Sequence, residues 1–258
     1  MILAAAALAS AIAKTWNVLR RHRAGHDMHW RGALAALVLC AGLLAAKSAS
    51  TDGEATIYIF GDFSKGFALS YAATMRPQPA NRGVSFLSID LLSTGMPFRG
   101  VAVGLSLGDP KATSLKAFTT STTAHGSDYT PFTVDCAPAC TLQLRSDGQT
   151  IYAFAGTQKL GSWPRSKFGF VKPYVQINGE VVKPHDAITA SLAPIQLVAN
   201  GQTIPPPQCA FTTQGVFPLR QPDGTLTFTG TFTLGADVTY LDARTGARVN
   251  TCKAFSKR

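Results

Sequence analysis

The stretch TLTFTGTFTL, residues 225–234, puts Leu226, Phe228, Phe232 and Leu234 on one side of an extended chain and five threonines on the other. That alternation has the two-residue period of a strand with one buried face, and threonine is well suited to the solvated face. The same period recurs upstream. Val101, Val103, Leu105 and Leu107 alternate with Ala102, Gly104 and Ser106, and Leu142 and Leu144 alternate with Thr141, Gln143 and Arg145. Val175 and Ile177 alternate with Tyr174, Gln176 and Asn178, and Ile188, Ala190 and Leu192 alternate with Thr189 and Ser191. Asp147-Gly148, Asn178-Gly179, Asn200-Gly201 and Asp223-Gly224 fall among these runs and predict hairpins. No window reads as an amphipathic helix of several turns. The best candidate is a short helical segment over 111–118, behind Asp109 and Pro110. Short, regularly spaced strands with little helix predict an all-β protein, an antiparallel β-sandwich.

The triplet Pro205-Pro206-Pro207 has no place inside a central strand. It predicts a boundary between a β-sandwich domain over 56–199 and a small C-terminal β appendage over 208–258. An appendage of that length makes a poor core alone and is expected to pack on the sandwich.

Apolar residues make up 46% of the 258 and charged residues 15%, which excludes a disordered chain and a coiled coil. The net charge of +10 is uneven. Residues 1–50 carry six basic residues and one acid, leaving 18 basic and 13 acidic residues beyond them. Those remaining cations are scattered, so no phosphate-tracking patch and no nucleic-acid partner is expected.

Residues 28–50, MHWRGALAALVLCAGLLAAKSAS, have the basic, apolar and small-residue parts of a secretory signal peptide. The apolar run from Gly32 to Ala46 is short for a membrane span. Met28 stands where such a signal would start, so residues 1–27 are read as an over-extended start that is not translated. The expected product is periplasmic or secreted, with no stable membrane span after cleavage near Ser48 or Ser50. The rival reading takes Ile2–Ala13 and Gly32–Ala46 as two membrane-associated segments.

Beyond the leader four cysteines remain, Cys136, Cys140, Cys209 and Cys252. An even number in an exported chain predicts disulfides, with three pairings open. The Ala-Pro-Ala spacer makes a local Cys136–Cys140 bridge plausible, with Cys209 and Cys252 closing the C-terminal segment. Only His125 and His185 follow the leader, neither near a cysteine, so no metal site is expected.

GFALSYAATMRP at 66–77, VSFLSIDLL at 84–92 and TLQLRSDGQTIYAFAGTQKLGS at 141–162 resemble strands of the concanavalin A-like jelly rolls, the laminin-G and legume-lectin group. The resemblance implies a jelly-roll-like sandwich of lectin type and makes a glycan, or another envelope protein, the expected partner.

The catalytic patterns are each short of a member. Gly104-Leu105-Ser106-Leu107-Gly108 matches a G-x-S-x-G nucleophile elbow, with Asp147 and His185 in the needed order, but the strand alternation runs through Ser106. Phe60-Gly61-Asp62-Phe63-Ser64 resembles the first block of G-D-S esterases with Phe63 at the nucleophile position. Glycosidases need two carboxyls across a cleft; after the leader only Glu54, in an expected frayed start, and Glu180 remain among the glutamates. Trp163, the only Trp beyond the leader, lies in an expected loop, GSWPR. Exposed aromatic residues stack on sugars or anchor interfaces, so Trp163, Arg165, Tyr174 and Asn178 are the candidate ligand-binding residues. No cofactor is expected. The function that follows is an exported, non-catalytic binding or structural protein of the cell envelope. The alternatives are a serine hydrolase using Ser106 and a membrane-anchored envelope component.

Overall fold

The computed structural model describes residues 52–94, 99–107, 115–134, 139–234 and 239–250. Residues 1–51, with the expected signal peptide and start, lie outside the described residues. These described residues all belong to one compact unit.

The strands are β1 Gly53–Ile59, β2 Gly66–Met75, β3 Ser85–Leu92, β4 Gly100–Leu107, β5 Lys116–Thr123, β6 Gly126–Thr133, β7 Cys140–Asp147, β8 Thr150–Ala155, β9 Gln158–Pro164, β10 Tyr174–Val181, β11 Ala187–Ala199, β12 Gln202–Thr203, β13 Cys209–Thr212, β14 Val216–Arg220, β15 Leu226–Thr231, β16 Thr239–Asp242 and β17 Arg248–Val249. One sheet runs β17-β16-β13-β1-β10-β3-β4-β5-β6, the other β14-β15-β11-β2-β7-β8-β9 with β12 beside β11. Every pairing is antiparallel. Among the described residues the only helical element is the 3-10 turn Arg165–Lys167. The protein is an antiparallel β-sandwich.

The core follows the alternation. In β1, β3, β4 and β10 the odd-numbered residues, such as Ile57, Ile89, Val103 and Ile177, are fully buried against the other sheet. That sheet answers with Leu69, Tyr71, Leu142, Leu144 and Ile151, also buried. The even-numbered residues of β1, β3, β4 and β10 therefore point to the outward face of the nine-stranded sheet.

Three of the four expected hairpin turns form. Asp147 Oδ1 accepts from the amides of Gln149 and Thr150 at 2.8 and 2.7 Å, and Asp223 Oδ1 accepts from Thr225 at 2.8 Å. These are the local bonds that make Asp a turn residue. Asn200 and Gly201 both adopt positive φ, the two-residue pattern that closes β11 onto β12. Asn178-Gly179 is different. It lies inside β10, paired with Thr56 and Ala55 on one side and Ser88 and Leu87 on the other. The reason is a close approach: a Cβ on Gly179 would meet the Phe228 ring at 2.8 Å, so the glycine makes room for a core aromatic. The expected helical segment also gives way, since Lys116–Phe118 already belong to β5; residues 108–114 lie outside the described range.

The proline triplet marks a passage between sheets. The C-terminal strands do not stand apart: β13 extends the first sheet from β1, and β15 and β14 extend the second from β11. Ala210, Val216, Leu226, Phe228 and Phe232 belong to the common core, each at most 1% exposed.

Candidate functional site

β4 is nearly bare on its outward side, where Gly100, Ala102, Gly104 and Ser106 stand. A Cβ on Gly104 would meet the Leu87 carbonyl oxygen and the Phe118 ring, both at 2.5 Å. The missing side chain lets Phe118 of β5 lie across the strand. Phe86 of β3 meets that ring edge-on, with centroids 5.6 Å apart, and Tyr129 of β6 lies over it at 5.4 Å. Small residues thus form the floor of a trough and aromatic residues one wall, with Thr120 and Thr122 beside them. The opposite wall comes from β3 and β10: Ser88, Asp90, Asn178 and Glu180. The trough encloses about 300 Å³.

The polar wall is acidic and enclosed. Asp90 Oδ1 is buried without a hydrogen-bond partner among the described residues. Burial pushes the Asp90 carboxyl up to about 7; a hydrogen bond from Ser88 opposes this and the charge of Glu54 adds to it. Burial likewise raises Glu180 to about 7, helped by repulsion from Asp52, Glu54 and Asp90. Glu54 sits opposite Glu180 in the β1–β10 register and is raised by burial, against the Thr56 hydroxyl. Glu54 is therefore a paired strand residue and not part of a frayed end. The fully buried Thr56 hydroxyl lies 2.8 Å from Glu54 Oε1 and 3.2 Å from Asn178 Oδ1. One hydroxyl proton cannot serve both acceptors. A proton retained on Glu54, or a reversed Asn178 amide, completes the chain. Past this acidic centre a second aromatic group, Tyr58, Phe60 and Tyr174, packs with centroids 6.1–6.4 Å apart.

The four candidate residues read from the sequence do not share one place. Asn178 lines the trough. Tyr174 is on the same strand and face, four residues away, but only 5% exposed within its aromatic group. Trp163 is a strand residue of β9, paired with Ile151, its ring folded over Gly161 and packed at the rim of the core. Arg165 lies in the 3-10 turn beyond it and lines a separate, larger cavity. The sequence reading passed over Asp90 and Glu180 as a pair because they lie on different strands. The available signal was Asp90 itself, the single charged residue in VSFLSIDLL at 84–92.

Ser106 is no elbow. The chain is extended through it, and its hydroxyl donates to the Lys116 carbonyl at 3.5 Å. Among the described residues no group of three or more His, Cys, Asp or Glu is placed to hold a metal ion, and no helix is long and apolar enough to cross a membrane.

The arrangement offers ring faces on one side and carboxyl, amide and hydroxyl groups on the other. With carboxyls near 7, the polar wall can both accept and donate hydrogen bonds around neutral pH.

No protein-family model matches the chain, and no curated protein does. Among solved structures the chain is similar to the CBM2 module of the evolved Dit of Lactobacillus casei BL23 phage J-1 (8% identity, 69% of each chain, TM-score 0.37). It is also similar to a galectin of Caenorhabditis elegans (15% identity, 48% of this chain and 84% of that one, TM-score 0.32). A third is the alginate lyase A1-II' of polysaccharide lyase family 7 (8% identity, 72% and 65%, TM-score 0.35). These likenesses say nothing of activity; the antiparallel β-sandwich itself rests on the sheet order and register described above.

Proposed function

We propose that this protein binds a neutral saccharide in the trough between the Phe118–Tyr129 wall and the Asp90–Asn178–Glu180 wall. The observation that carries this reading is the pairing of the two walls, with a buried Asp90 oxygen that has no partner among the described residues. A pyranose has an apolar C–H face suited to aromatic rings and hydroxyls suited to carboxyl and amide groups. A trough of about 300 Å³ is at the small end of ligand pockets, enough for one or two sugar rings. Tyr129 is half-exposed, so Tyr129→Ala should leave the fold intact. Screening the mature protein against neutral oligosaccharides should give saturable binding, weakened by about tenfold in Tyr129→Ala. A screen with no saturable ligand, or a Tyr129→Ala protein that binds as well as wild type, would sink the reading.

A second reading, acid–base cleavage of the bound glycan, is favoured by Asp90 and Glu180 both standing near 7 on one face. It requires product release from the bound oligosaccharide and its loss in Asp90→Asn; binding without turnover excludes it.

The setting belongs to the proposal as well. The signal-like residues 28–50 support export, with a mature N-terminus between residues 47 and 56. Two bridges, Cys136–Cys140 and Cys209–Cys252, fit an oxidising compartment. Their support is the even number of cysteines beyond residue 50 and the Ala-Pro-Ala spacer between Cys136 and Cys140; Cys136 and Cys252 lie outside the described residues.

A further inference from the structure

A cavity of about 1050 Å³ opens where the β1–β2 loop, the β7–β8 turn and the β9–β10 connection meet. Its lining includes Asp62, Phe63, Arg165, Phe170 and Lys172. Arg165 is set into this wall. Its Nη2 donates to the Phe63 carbonyl, and its guanidinium lies over the Phe170 ring, with Cζ 5.1 Å from the centroid. Its backbone amide is tied to Gln149 O at 2.7 Å. Nη1, which carries two N–H donors, is buried with no acceptor among the described residues. Enclosed, uncompensated donors of a cation are costly, and a charged acceptor is the natural complement.

The acid in this lining is already engaged. Asp62 Oδ1 accepts from the Ser64 amide and hydroxyl, and Asp62 Oδ2 accepts from the Asn200 amide group. Those bonds and Lys65 keep the Asp62 carboxyl below the usual range, so it is ionised at neutral pH. Arg165 and Lys172 against Asp62 leave the lining with a single positive charge. We propose that this cavity is a second binding site, for a singly charged carboxylate group, held by Arg165 with Lys172 at its edge. The site is independent of the neutral-saccharide reading of the trough. A uronic-acid carboxylate and a simple carboxylic acid share the recognised chemistry; a dianionic phosphate exceeds the charge the lining offers.

The test is an NMR titration of the mature protein with D-glucuronate, acetate, D-glucose and inorganic phosphate at low ionic strength. Glucuronate should shift the amides of residues 62–64, 149–150 and 165–172 saturably, and glucose should not. If acetate matches glucuronate, the carboxylate alone is recognised; if glucuronate is tighter, the sugar adds to it; both support the site. Arg165→Gln and Lys172→Glu should each weaken glucuronate by about tenfold or more. Arg165 also holds the Phe63 carbonyl, so Lys172→Glu, altering an exposed residue, serves if Arg165→Gln fails to fold. Tyr129→Ala in the trough should leave glucuronate binding unchanged. Equal shifts with glucose, phosphate binding as tight as glucuronate, wild-type affinity in Lys172→Glu, or loss of binding in Tyr129→Ala would each overturn the proposal.

Discussion

Asp90 holds its proton more tightly in the folded protein than in the unfolded chain, since its pKa rises from 3.8 to about 7, and Glu180 does the same from 4.5 to about 7. Groups raised in this direction stabilise the fold fully at pH below their unfolded values, and the contribution is lost as pH rises through about 7. Urea midpoints should therefore be higher at pH 5 than at pH 8, and the unfolding free energy larger by on the order of 3 kcal/mol for the two carboxyls acting as one coupled unit. Asp90→Asn, which keeps the shape without the charge, should flatten that dependence and stabilise the protein at pH 8. A midpoint that rises from pH 5 to pH 8 would contradict the burial of these groups. Ser106 offers the opposite case. Its one long hydrogen bond makes Ser106→Ala worth less than about 1 kcal/mol by thermal unfolding, with no loss of ligand binding.

β4 shows how an element can be shaped by what it lacks. Its inward residues, Val101, Val103 and Leu105, are at most 1% exposed, while its outward side stays bare so that Phe118 can cross it. Gly104→Ala places a methyl group into that ring and into the Leu87 carbonyl. We expect a destabilisation of roughly 1–3 kcal/mol by overpacking and a weakened trough ligand, read by urea unfolding and the saccharide titration. The alternation of β4 was legible in the sequence, and so was the strand character of Ser106. β10 was read less well. Asn178-Gly179 has the composition of a tight turn, and nothing local distinguishes a glycine chosen for positive φ from one chosen for the Phe228 ring. The distinction lies in a side chain about fifty residues further on. The same distance hid the site: Glu54, Asp90 and Glu180 meet only because β1, β10 and β3 are neighbours, an order that no single strand pattern reveals.

For the whole molecule, the C-terminal segment is a structural necessity. A chain ending at Pro205 would leave β1 without β13 and β11 without β15, and would remove Phe228 and Phe232 from the core. That loss exceeds the roughly 5–15 kcal/mol that holds a domain folded, so the truncated chain should show no cooperative urea transition. The sequence pointed to a break at the prolines, since a Pro triplet looks the same at a domain boundary and at a crossing between sheets. The proposed bridges give a second prediction at this scale. Unfolded, unreduced mature protein should yield no free thiol, and reduction should cost roughly 2–4 kcal/mol per bridge, more for the longer Cys209–Cys252 loop. Free thiols in place of bridges would count against export as well.

The division of β1, β3, β4 and β10 into odd and even positions has a further consequence, for how such a protein changes over time. Foldedness is carried by residues such as Ile57, Ile89, Val103 and Ile177, while the contents of the trough are written at Ser88, Asp90, Asn178 and Glu180. Because neighbours in the chain face opposite sides, ligand preference can drift at the even positions with little pressure on the odd ones. Two descendants could share every core residue and bind different molecules, and a library randomised at Ser88, Thr120, Thr122 and Asn178 would explore that space without unravelling the sheet.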